Sequence, residues 1–380
     1  MRNLNATKLK QNIESRIEND LKEQNICGAS VIVRQHGKVL YRNCFGKAGV
    51  SSDKDVTKDT VFRLASMTKP ITAVATLILI ERGLLKLEDK VEDYLSEFKN
   101  LKITAYDESG KLTEIGEVKT PPTILHILTH TSGIGPSGGP HASKMPMEDY
   151  ETLEKTVEYF AKAGVQFEPF SREWYSGFAA FDVLTLIIEK VTGKDYNTFL
   201  KEEIFEPLGM NNTTFLPSEN QWNNLIEMFD KKDGIPIVGE TYENCVFDMF
   251  PCTHFVGGAG LVSVIDDYSV FAEMLLNGGE YNGKRIISEN SVKLMSTPHV
   301  PESIQQGTQR WGLGVRVITK EEYKYLPVGA FGWSGAYGTH FWVDPVNKIT
   351  AVYMKNSLYD GGSGAITALN FEKDVESSLC

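Results

Sequence analysis

The chain contains 380 residues, of which 41% are hydrophobic and 23% charged, as is usual for a globular protein with a sizeable core. Its net charge of −11 argues against nucleic acid or an anionic membrane surface as a partner, because no block of Lys and Arg offsets the acidic residues. The sequence contains no Gly-x-x-x-x-Gly-Lys-Ser/Thr loop, which argues against phosphate chemistry.

The five cysteines form no Cys-x-x-Cys pair, so neither a zinc ribbon nor a thioredoxin-like redox pair is available. We expect them to be free thiols in a reducing compartment: Cys27, Cys44, Cys245, Cys252 and Cys380. Residues 1–20 have mixed charge and predict an amphipathic helix, not a secretory signal. The longest mainly apolar run, residues 71–80, is too short to span a bilayer. We therefore predict a cytoplasmic protein with no membrane span.

The N-terminal part of the chain predicts a strand hairpin followed by a helix. Two apolar and β-branched runs within residues 28–47 flank the turn Gln35-His36-Gly37-Lys38. A helix is expected over residues 66–82, ended by Gly83. Residues 100–120 are polar and predict a surface excursion or a small hairpin.

Helical patterns dominate the middle of the chain, and strand patterns return after them. We expect helices over residues 123–129, 149–163, 178–191 and 266–277, and strands over residues 312–318, 340–343 and 349–355. This order predicts an α/β (α+β) fold, in which the N-terminal hairpin pairs with the C-terminal strands in one antiparallel sheet flanked by helices.

The same order predicts two lobes. Residues 1–80 and 255–380 would form a discontinuous sheet lobe, and residues 81–254 a mostly helical inserted lobe. We expect the active site in the cleft where the two lobes meet.

The strongest chemical signal is Ser66 followed by Lys69 at the start of a predicted helix. Positions i and i+3 share one helical face, so the lysine can reach the serine hydroxyl. Pro70 places the helix start close to Ser66, because proline is tolerated only near a helix N-terminus. The unpaired N–H of Ser66 could then form half of an oxyanion hole. Burial beside residues 71–80 would lower the pKa of Lys69 and let it act as a base.

Five ordered segments resemble the motifs of one superfamily. The segment Phe62-Arg63-Leu64-Ala65-Ser66-Met67-Thr68-Lys69 resembles the nucleophile motif of serine β-lactamases, penicillin-binding proteins and related esterases. Further similar segments follow in the family's order at residues 127–133, 174–177, 257–261 with 275–279, and 332–336. The resemblance runs from about residue 25 to residue 356 and implies the β-lactamase/transpeptidase-like fold.

Departures from the family pattern indicate the subgroup. A Ser-Asp-Asn triplet is missing and Tyr175 stands at the second motif, as in the class C enzymes and their esterase relatives, which implies that Tyr175 is the proton relay. Gly177 replaces an asparagine that binds the acylamino group of substrates, and Trp333 replaces a lysine that faces their carboxylate. An indole in place of an ammonium group turns a charge-binding wall into an apolar one. The motifs are most similar to those of family VIII carboxylesterases.

The resemblance also implies the remaining site residues. The N–H of Ala336 would complete the oxyanion hole, and Ser334 and Gly335 would bind substrate together with Trp333 and Gly177. No metal or organic cofactor is expected, because serine, lysine and tyrosine suffice for acyl transfer. The substrate would be a small-molecule ester, a β-lactam or a short peptide.

Three functions stay open at this point. The leading one is a carboxylesterase of neutral esters. The second is a β-lactamase or D-amino-acid peptidase, which would need another cation, such as Arg316 or Lys355, for the substrate carboxylate. The third is a penicillin-recognising module that does not turn over.

Three further patterns predict no catalysis. Residues 135–139 match Gly-x-Ser-x-Gly, but their surroundings predict a loop and not a strand-to-helix elbow. Ser334 is expected to be exposed and to have no base at a fixed offset. His126 and His130 have zinc-like spacing, but isoleucine replaces the glutamate of His-Glu-x-x-His, so we expect structural roles.

Overall fold

The computed structural model describes residues 1–239 and 254–380. Cys245 and Cys252 lie outside the described residues, and the other three cysteines are free thiols. Within the described ranges, no helix combines the length and the apolar composition that crossing a bilayer requires.

The described helices are α1 (Ala6–Lys22), α2 (Thr68–Glu81), α3 (Val91–Tyr94), α4 (Ile124–Leu128), α5 (Pro140–Ser143), α6 (Leu153–Ala163), α7 (Ala179–Thr192), α8 (Tyr196–Leu200), α9 (Glu206–Leu208), α10 (Glu219–Asn223), α11 (Ile265–Leu276), α12 (Glu289–Met295) and α13 (Ile366–Glu376). Short 3-10 helices cover Ala65–Met67, Ser96–Phe98 and Met147–Tyr150, and a π-helical turn covers Lys201–Phe205.

The described strands are β1 (Gly28–Gln35), β2 (Lys38–Gly46), β3 (Phe62–Arg63), β4 (Lys102–Tyr106), β5 (Leu112–Glu117), β6 (Phe229–Lys232), β7 (Ile235–Val238), β8 (Val262–Ser263), β9 (Glu280–Tyr281), β10 (Lys284–Arg285), β11 (Gln309–Trp311), β12 (Arg316–Ile318), β13 (Phe331–Ser334), β14 (His340–Asp344) and β15 (Ile349–Met354).

The largest sheet of the described chain has seven strands in the order β11-β12-β13-β14-β15-β1-β2. Every neighbouring pair is antiparallel, and the N-terminal hairpin joins the C-terminal strands where Val31 lies opposite Tyr353. The predicted antiparallel sheet is therefore confirmed. The residue limits of the two predicted lobes stay a prediction.

The two faces of this sheet are covered by different helices, because successive side chains of a strand point to opposite faces. Val31 and Val33 pack with the apolar stripe of α1 and with α13, whereas Ile32, between them, faces the main core. Helix α11 covers the main-core side through contacts with β1, β14 and β15. The predicted N-terminal amphipathic helix is confirmed by α1, whose Leu9, Ile13 and Ile17 are buried.

Helix α2 is buried along almost its whole length, in agreement with an apolar composition on all sides. It follows directly on the 3-10 turn Ala65–Met67 and ends before Gly83, whose φ of 71° is readily adopted by glycine. The predicted helix over residues 66–82 is therefore confirmed, with a 3-10 first turn. The predicted hairpin at residues 100–120 is also confirmed, as β4 and β5.

The prediction of one strand over residues 312–318 is wrong. The segment is part of a hairpin, in which β11 ends at Trp311 and β12 begins at Arg316. The chain turns at Gly314, whose φ is 67° and whose added Cβ would lie 3.0 Å from the Cβ of Ala73 on α2. This contact with a helix distant in sequence has no signature in the local apolar pattern.

Candidate active site

Ser66 lies at a kink between strand β3 and helix α2. The residue before it, Ala65, has a φ of 45°, a left-handed conformation that residues with a Cβ rarely adopt. Such strained backbone concentrates at functional sites, where surrounding structure holds it in place. Ser66 lines a cavity of about 650 Å³, so the kink brings its hydroxyl to the cavity wall.

Lys69 lies fully buried beside Ser66, with its Nζ 3.2 Å from the serine Oγ. The amine also donates to the carbonyl of Gly258 at 2.8 Å and to the carbonyl of Gly177. Burial lowers the pKa of Lys69, while Tyr175 and Asp182 oppose this shift. Because the two carbonyls can only accept, they take both hydrogens of a neutral amine, whose lone pair then faces the Ser66 hydroxyl. This is the arrangement that a general base requires.

Gly258 allows the close approach on which the lysine site depends. A Cβ added at this residue would lie 2.9 Å from the Gly177 carbonyl oxygen and 3.3 Å from Lys69 Nζ. A side chain here would therefore crowd the amine and the Gly177 carbonyl. The sequence interpretation connected residues 257–261 with the family but assigned them no contact with Lys69.

Tyr175 completes the contacts to the serine, and its hydroxyl lies 2.7 Å from Ser66 Oγ. The indole nitrogen of Trp333 donates to the same tyrosine hydroxyl at 3.3 Å. Trp333 is only 8% exposed and its ring centroid lies 5.4 Å from that of Tyr175. The tryptophan is therefore more than the apolar wall that the sequence predicted, because its N–H also orients the tyrosine.

The cavity brings together most of the predicted site residues. Its lining includes Ser66, Tyr175, Trp333, Ser334 and Ala336. The lining is completed by Glu173, Gln305, Gln306, Gly307, Thr308, Gln309, Trp311, Arg316, Gly362 and Ser363.

Three of the predicted residues, Lys69, Gly177 and Gly335, do not line the cavity but lie next to residues that do. Lys69 reaches the cavity only through Ser66, and Gly177 contributes its carbonyl to Lys69. Gly335 is the residue between Ser334 and Ala336, and its N–H donates to the carbonyl of Thr339. Ala336 follows β13 in the turn that leads to β14, and its place in an oxyanion hole stays a prediction.

The expectation that Ser334 is exposed is wrong, because its side chain is 3% exposed. It lies at the end of β13, between β12 and β14 in the sheet. The sequence offers no base at a fixed offset from Ser334, but strand pairing brings a histidine beside it. The antiparallel register places His340 opposite Ser334, with its Nδ1 2.8 Å from the serine Oγ. This contact depends on strand pairing and has no fixed sequence spacing.

Both cations that the sequence offered for a substrate carboxylate are paired within the protein. Arg316 is buried and forms an ion pair with Glu372. Lys355 is also buried, and its Nζ lies 3.4 Å from a carboxylate oxygen of Asp360. Each charge therefore already has a carboxylate partner.

Two further residues support the site, and the sequence interpretation assigned them no such role. Asp182 is 1% exposed on α7, where burial raises the pKa of its carboxyl well above the ordinary value and Lys69 opposes the shift. His130 is buried, accepts the N–H of Ser176 at 3.1 Å, and has its ring centroid 4.4 Å from that of Tyr175. The signal for Asp182 was present as a lone acidic residue within the apolar run of α7.

The other two patterns set aside on sequence have structural explanations. His126 accepts the N–H of Thr123 at 3.3 Å, as part of the N-terminal cap of α4. His126 and His130 thus both bind main-chain groups. Residues 135–139 form a loop before α5, without the preceding strand of a nucleophile elbow.

Comparison with known proteins identifies the family. The sequence pattern of the Beta-lactamase family matches residues 13–371. Esterase EstB of Burkholderia gladioli is 28% identical over 391 residues, covering 96% of this chain and 94% of the esterase. A putative D-alanyl-D-alanine carboxypeptidase of Escherichia coli O157:H7 is 26% identical over 358 residues, covering 87% of this chain and 78% of that protein.

The fold is also shared with a solved structure. EstCE1, described as a hydrolase with promiscuous acyltransferase activity, superposes with a TM-score of 0.83 at 25% identity. The superposition covers 98% of this chain and 99% of EstCE1. The predicted fold is confirmed, and the chain is a serine hydrolase that belongs to the Beta-lactamase family.

Proposed function

We propose that this protein is a carboxylesterase of neutral esters that acts through an acyl-enzyme on Ser66. The observation that carries the proposal is the convergence of two groups on one serine hydroxyl. Lys69 Nζ lies 3.2 Å and the Tyr175 hydroxyl 2.7 Å from Ser66 Oγ, at the wall of the cavity.

In the acylation step, Lys69 accepts the proton of the Ser66 hydroxyl while Oγ attacks the ester carbonyl carbon. The N–H groups of Ser66 and Ala336 stabilise the negative charge that forms on the carbonyl oxygen. The bond to the alcohol oxygen then breaks, and Tyr175 protonates that oxygen as it leaves. Lys69 returns its proton to Tyr175, which restores both groups.

In the deacylation step, water takes the place of the alcohol. The attacking water gives a proton to Tyr175 while the proton of Tyr175 passes to the neutral Lys69. The tetrahedral intermediate then breaks its bond to Ser66 Oγ. The proton passes to Ser66, and the carboxylic acid is released. All protons are thereby accounted for by the serine, the lysine and the tyrosine.

A neutral substrate is supported by the chemistry of the cavity. The rings of Tyr175, Trp311 and Trp333 contact one another on its wall, with centroid distances of 4.5 to 5.9 Å. The nearby cation, Arg316, is neutralised by Glu372. The similarity to Esterase EstB and to the hydrolase EstCE1 supports ester hydrolysis as the reaction.

A second candidate function is a D-amino-acid peptidase or a β-lactamase. The similarity to a putative D-alanyl-D-alanine carboxypeptidase favours it. The pairing of Arg316 and Lys355 with carboxylates weighs against it, because these substrates carry a carboxylate of their own. A penicillin-recognising module without turnover stays the third possibility, and a cytoplasmic location stays a prediction.

One assay series tests these functions. The wild-type protein and Ser66→Ala are compared on a short-chain p-nitrophenyl ester, a chromogenic cephalosporin and a D-Ala-D-Ala peptide. The control is Ser137→Ala, which changes the serine of the Gly-x-Ser-x-Gly pattern at residues 135–139. We expect turnover of the ester that is lost in Ser66→Ala and kept in Ser137→Ala. Ester turnover by Ser66→Ala would overturn the mechanism, and a stoichiometric burst without turnover would favour the binding module.

A second variant tests the substrate class. Trp333→Lys restores the ammonium group that the related β-lactam and peptide enzymes carry at this position. We expect a shift of kcat/KM from neutral esters toward carboxylate-bearing substrates. An unchanged preference would contradict the role of Trp333 in selecting neutral substrates.

A further inference from the structure

A buried chain of hydrogen bonds runs from the cavity wall into the sheet lobe. Ser334 Oγ lies 2.8 Å from His340 Nδ1, and the other ring nitrogen, Nε2, lies 3.0 Å from a carboxylate oxygen of Glu372. Arg316 donates to the same carboxylate, and the hydroxyl of Tyr323 donates to it at 2.5 Å. The side chains of Ser334, His340 and Glu372 are all nearly inaccessible to solvent.

The carboxylate end of this chain can only accept. Burial disfavours its charge, but Arg316, His340 and Tyr323 outweigh burial and lower the pKa of Glu372 to about 2. A carboxylate has no hydrogen to donate, so the Nε2 atom facing it must carry one.

The histidine therefore has a defined tautomer. Burial lowers the pKa of His340, although Glu372 opposes the shift, and a lowered pKa favours the neutral imidazole with a single hydrogen. With that hydrogen on Nε2, the Nδ1 atom is a bare acceptor. The carbonyl of Trp333 also lies beside the ring, but it is a weaker acceptor than the charged carboxylate.

It follows that the hydroxyl of Ser334 donates its only hydrogen to His340. Its two lone pairs remain, and Ser334 lines the cavity together with Ser66 and Trp333. Toward a substrate this hydroxyl is thus an acceptor without a hydrogen to offer.

We propose that Ser334 is a specificity-determining residue that presents a hydrogen-bond acceptor to the substrate. The site then selects neutral esters that carry an O–H or N–H donor near the reacting carbonyl, and it disfavours a carboxylate at the same place. The inference rests on the proposed esterase function and specifies its substrate class. A hydroxyl or amide hydrogen satisfies the buried lone pair, whereas a methyl ether or a carboxylate leaves it facing another acceptor.

The first test reads the tautomer directly and needs no activity. Long-range 1H–15N correlation spectra of the histidine rings distinguish a protonated from a bare Nδ1. The His340 signals are assigned as those absent from His340→Asn. We expect Nε2–H and a bare Nδ1 at neutral pH. A protonated Nδ1, in either the other tautomer or the charged ring, would overturn the proposal.

The second test uses two pairs of esters that differ by a donor. One pair is the p-nitrophenyl esters of glycolic and methoxyacetic acids, and the other is the benzoate esters of ethylene glycol and its monomethyl ether. We expect the wild type to prefer the hydroxyl member of at least one pair by about three- to tenfold in kcat/KM, the size of one hydrogen bond. Ser334→Ala should bring that ratio to about one.

The matched control is Ser363→Ala, which removes an exposed hydroxyl from the same cavity lining. We expect it to leave the hydroxyl-to-ether ratio as in the wild type. A ratio near one in the wild type for both pairs, or an equal fall in both variants, would overturn the proposal while ester turnover itself still stands. If no ester is turned over, the esterase function fails, and the tautomer of His340 still decides whether Ser334 is an acceptor.

Discussion

The indole nitrogen of Trp333 lies 3.3 Å from the hydroxyl of Tyr175, and that hydroxyl lies 2.7 Å from Ser66 Oγ. Trp333 is therefore connected to Ser66 through the tyrosine, and in the proposed mechanism it acts on the nucleophile by this route. The residue that makes the cavity wall apolar also supplies one N–H donor, which leaves the tyrosine hydrogen free to point at the serine.

Replacing Trp333 by phenylalanine should separate these two contributions. Trp333→Phe keeps an aromatic wall but removes the donor to Tyr175, so we expect kcat for an ester to fall about five- to tenfold. The control is Trp342→Phe on β14, which lies on the opposite side of the sheet, in the cluster that contains α1. That variant should lower the melting temperature and leave kcat unchanged. An unchanged kcat in Trp333→Phe would mean that the N–H does not orient Tyr175.

The two lysines that are buried in the described chain, Lys69 and Lys355, should respond differently to loss of the side-chain amine. Lys69→Met removes the proposed base, and we expect kcat to fall about a thousandfold. Lys355→Met removes the partner of Asp360 and should lower stability without an effect of that size on kcat. Steady-state kinetics and thermal unfolding of both variants check this. A Lys69→Met enzyme with ordinary kcat would remove Lys69 from the mechanism.

The pH dependence should report the buried state of Lys69. Its amine must be neutral to accept the serine proton, and burial lowers its pKa from the ordinary value of 10.5. Activity should therefore persist below pH 10.5 and decline only as the pH falls through the lowered pKa, where the amine becomes protonated. The profile of kcat/KM against pH measures this. An acidic limb centred at the pKa of an ordinary lysine would contradict the assignment.

Gly258→Ala should impair catalysis without unfolding the protein. Its Cβ would lie 2.9 Å from the Gly177 carbonyl oxygen and 3.3 Å from Lys69 Nζ, so these neighbours must shift and disturb the position of the amine. We expect kcat to fall about ten- to a hundredfold, since small displacements of reacting groups have large effects on rate. Gly116→Ala is the control, because a Cβ added at Gly116 would lie 3.6 Å from its nearest neighbour, the Cδ1 atom of Ile103, which is an ordinary van der Waals distance. Equal kcat in the two variants would show that Gly258 does not position Lys69.

The Glu372 carboxylate should make the free energy of unfolding depend on pH in the acidic range. Despite burial, Arg316 and His340 hold its pKa at about 2, below the ordinary 4.5. A depressed pKa stabilises the folded state above pH 4.5, and this contribution of about 3 kcal/mol should be lost as the pH falls from 4.5 toward 2. Urea unfolding at a series of pH values measures the free energy of unfolding.

Glu372→Gln provides the matching variant. It leaves Arg316 buried without its charge partner, so we expect the free energy of unfolding at neutral pH to fall by about 3 to 5 kcal/mol. Its remaining dependence on pH between 4.5 and 2 should be smaller than that of the wild type. The control is Glu151→Gln in an exposed pair with Lys155, which should leave the urea midpoint unchanged. A Glu372→Gln protein as stable as the wild type would contradict the paired state.

The sequence alone determined the features that depend on local pattern. The β-branched runs predict the N-terminal hairpin, and the continuous apolar run predicts the buried helix after Ser66. Pro70 places the start of that helix, so Lys69 lies one turn from Ser66. The structure contains the hairpin and the helix. Ordered motifs identified the family and named Tyr175 and Trp333 before any contact was known. These signals are local in the chain or shared with relatives, so they can be read without coordinates.

Only the tertiary structure decided which groups meet across the sheet and the cavity. His340 reaches Ser334 because β13 and β14 pair in one register, and Gly258 reaches Lys69 because a loop distant in sequence packs against α2. The burial of Ser334 and the pairing of Arg316 with Glu372 likewise depend on strands and helices far apart in the chain. Such contacts depend on packing between elements, so they leave no periodic pattern in the sequence.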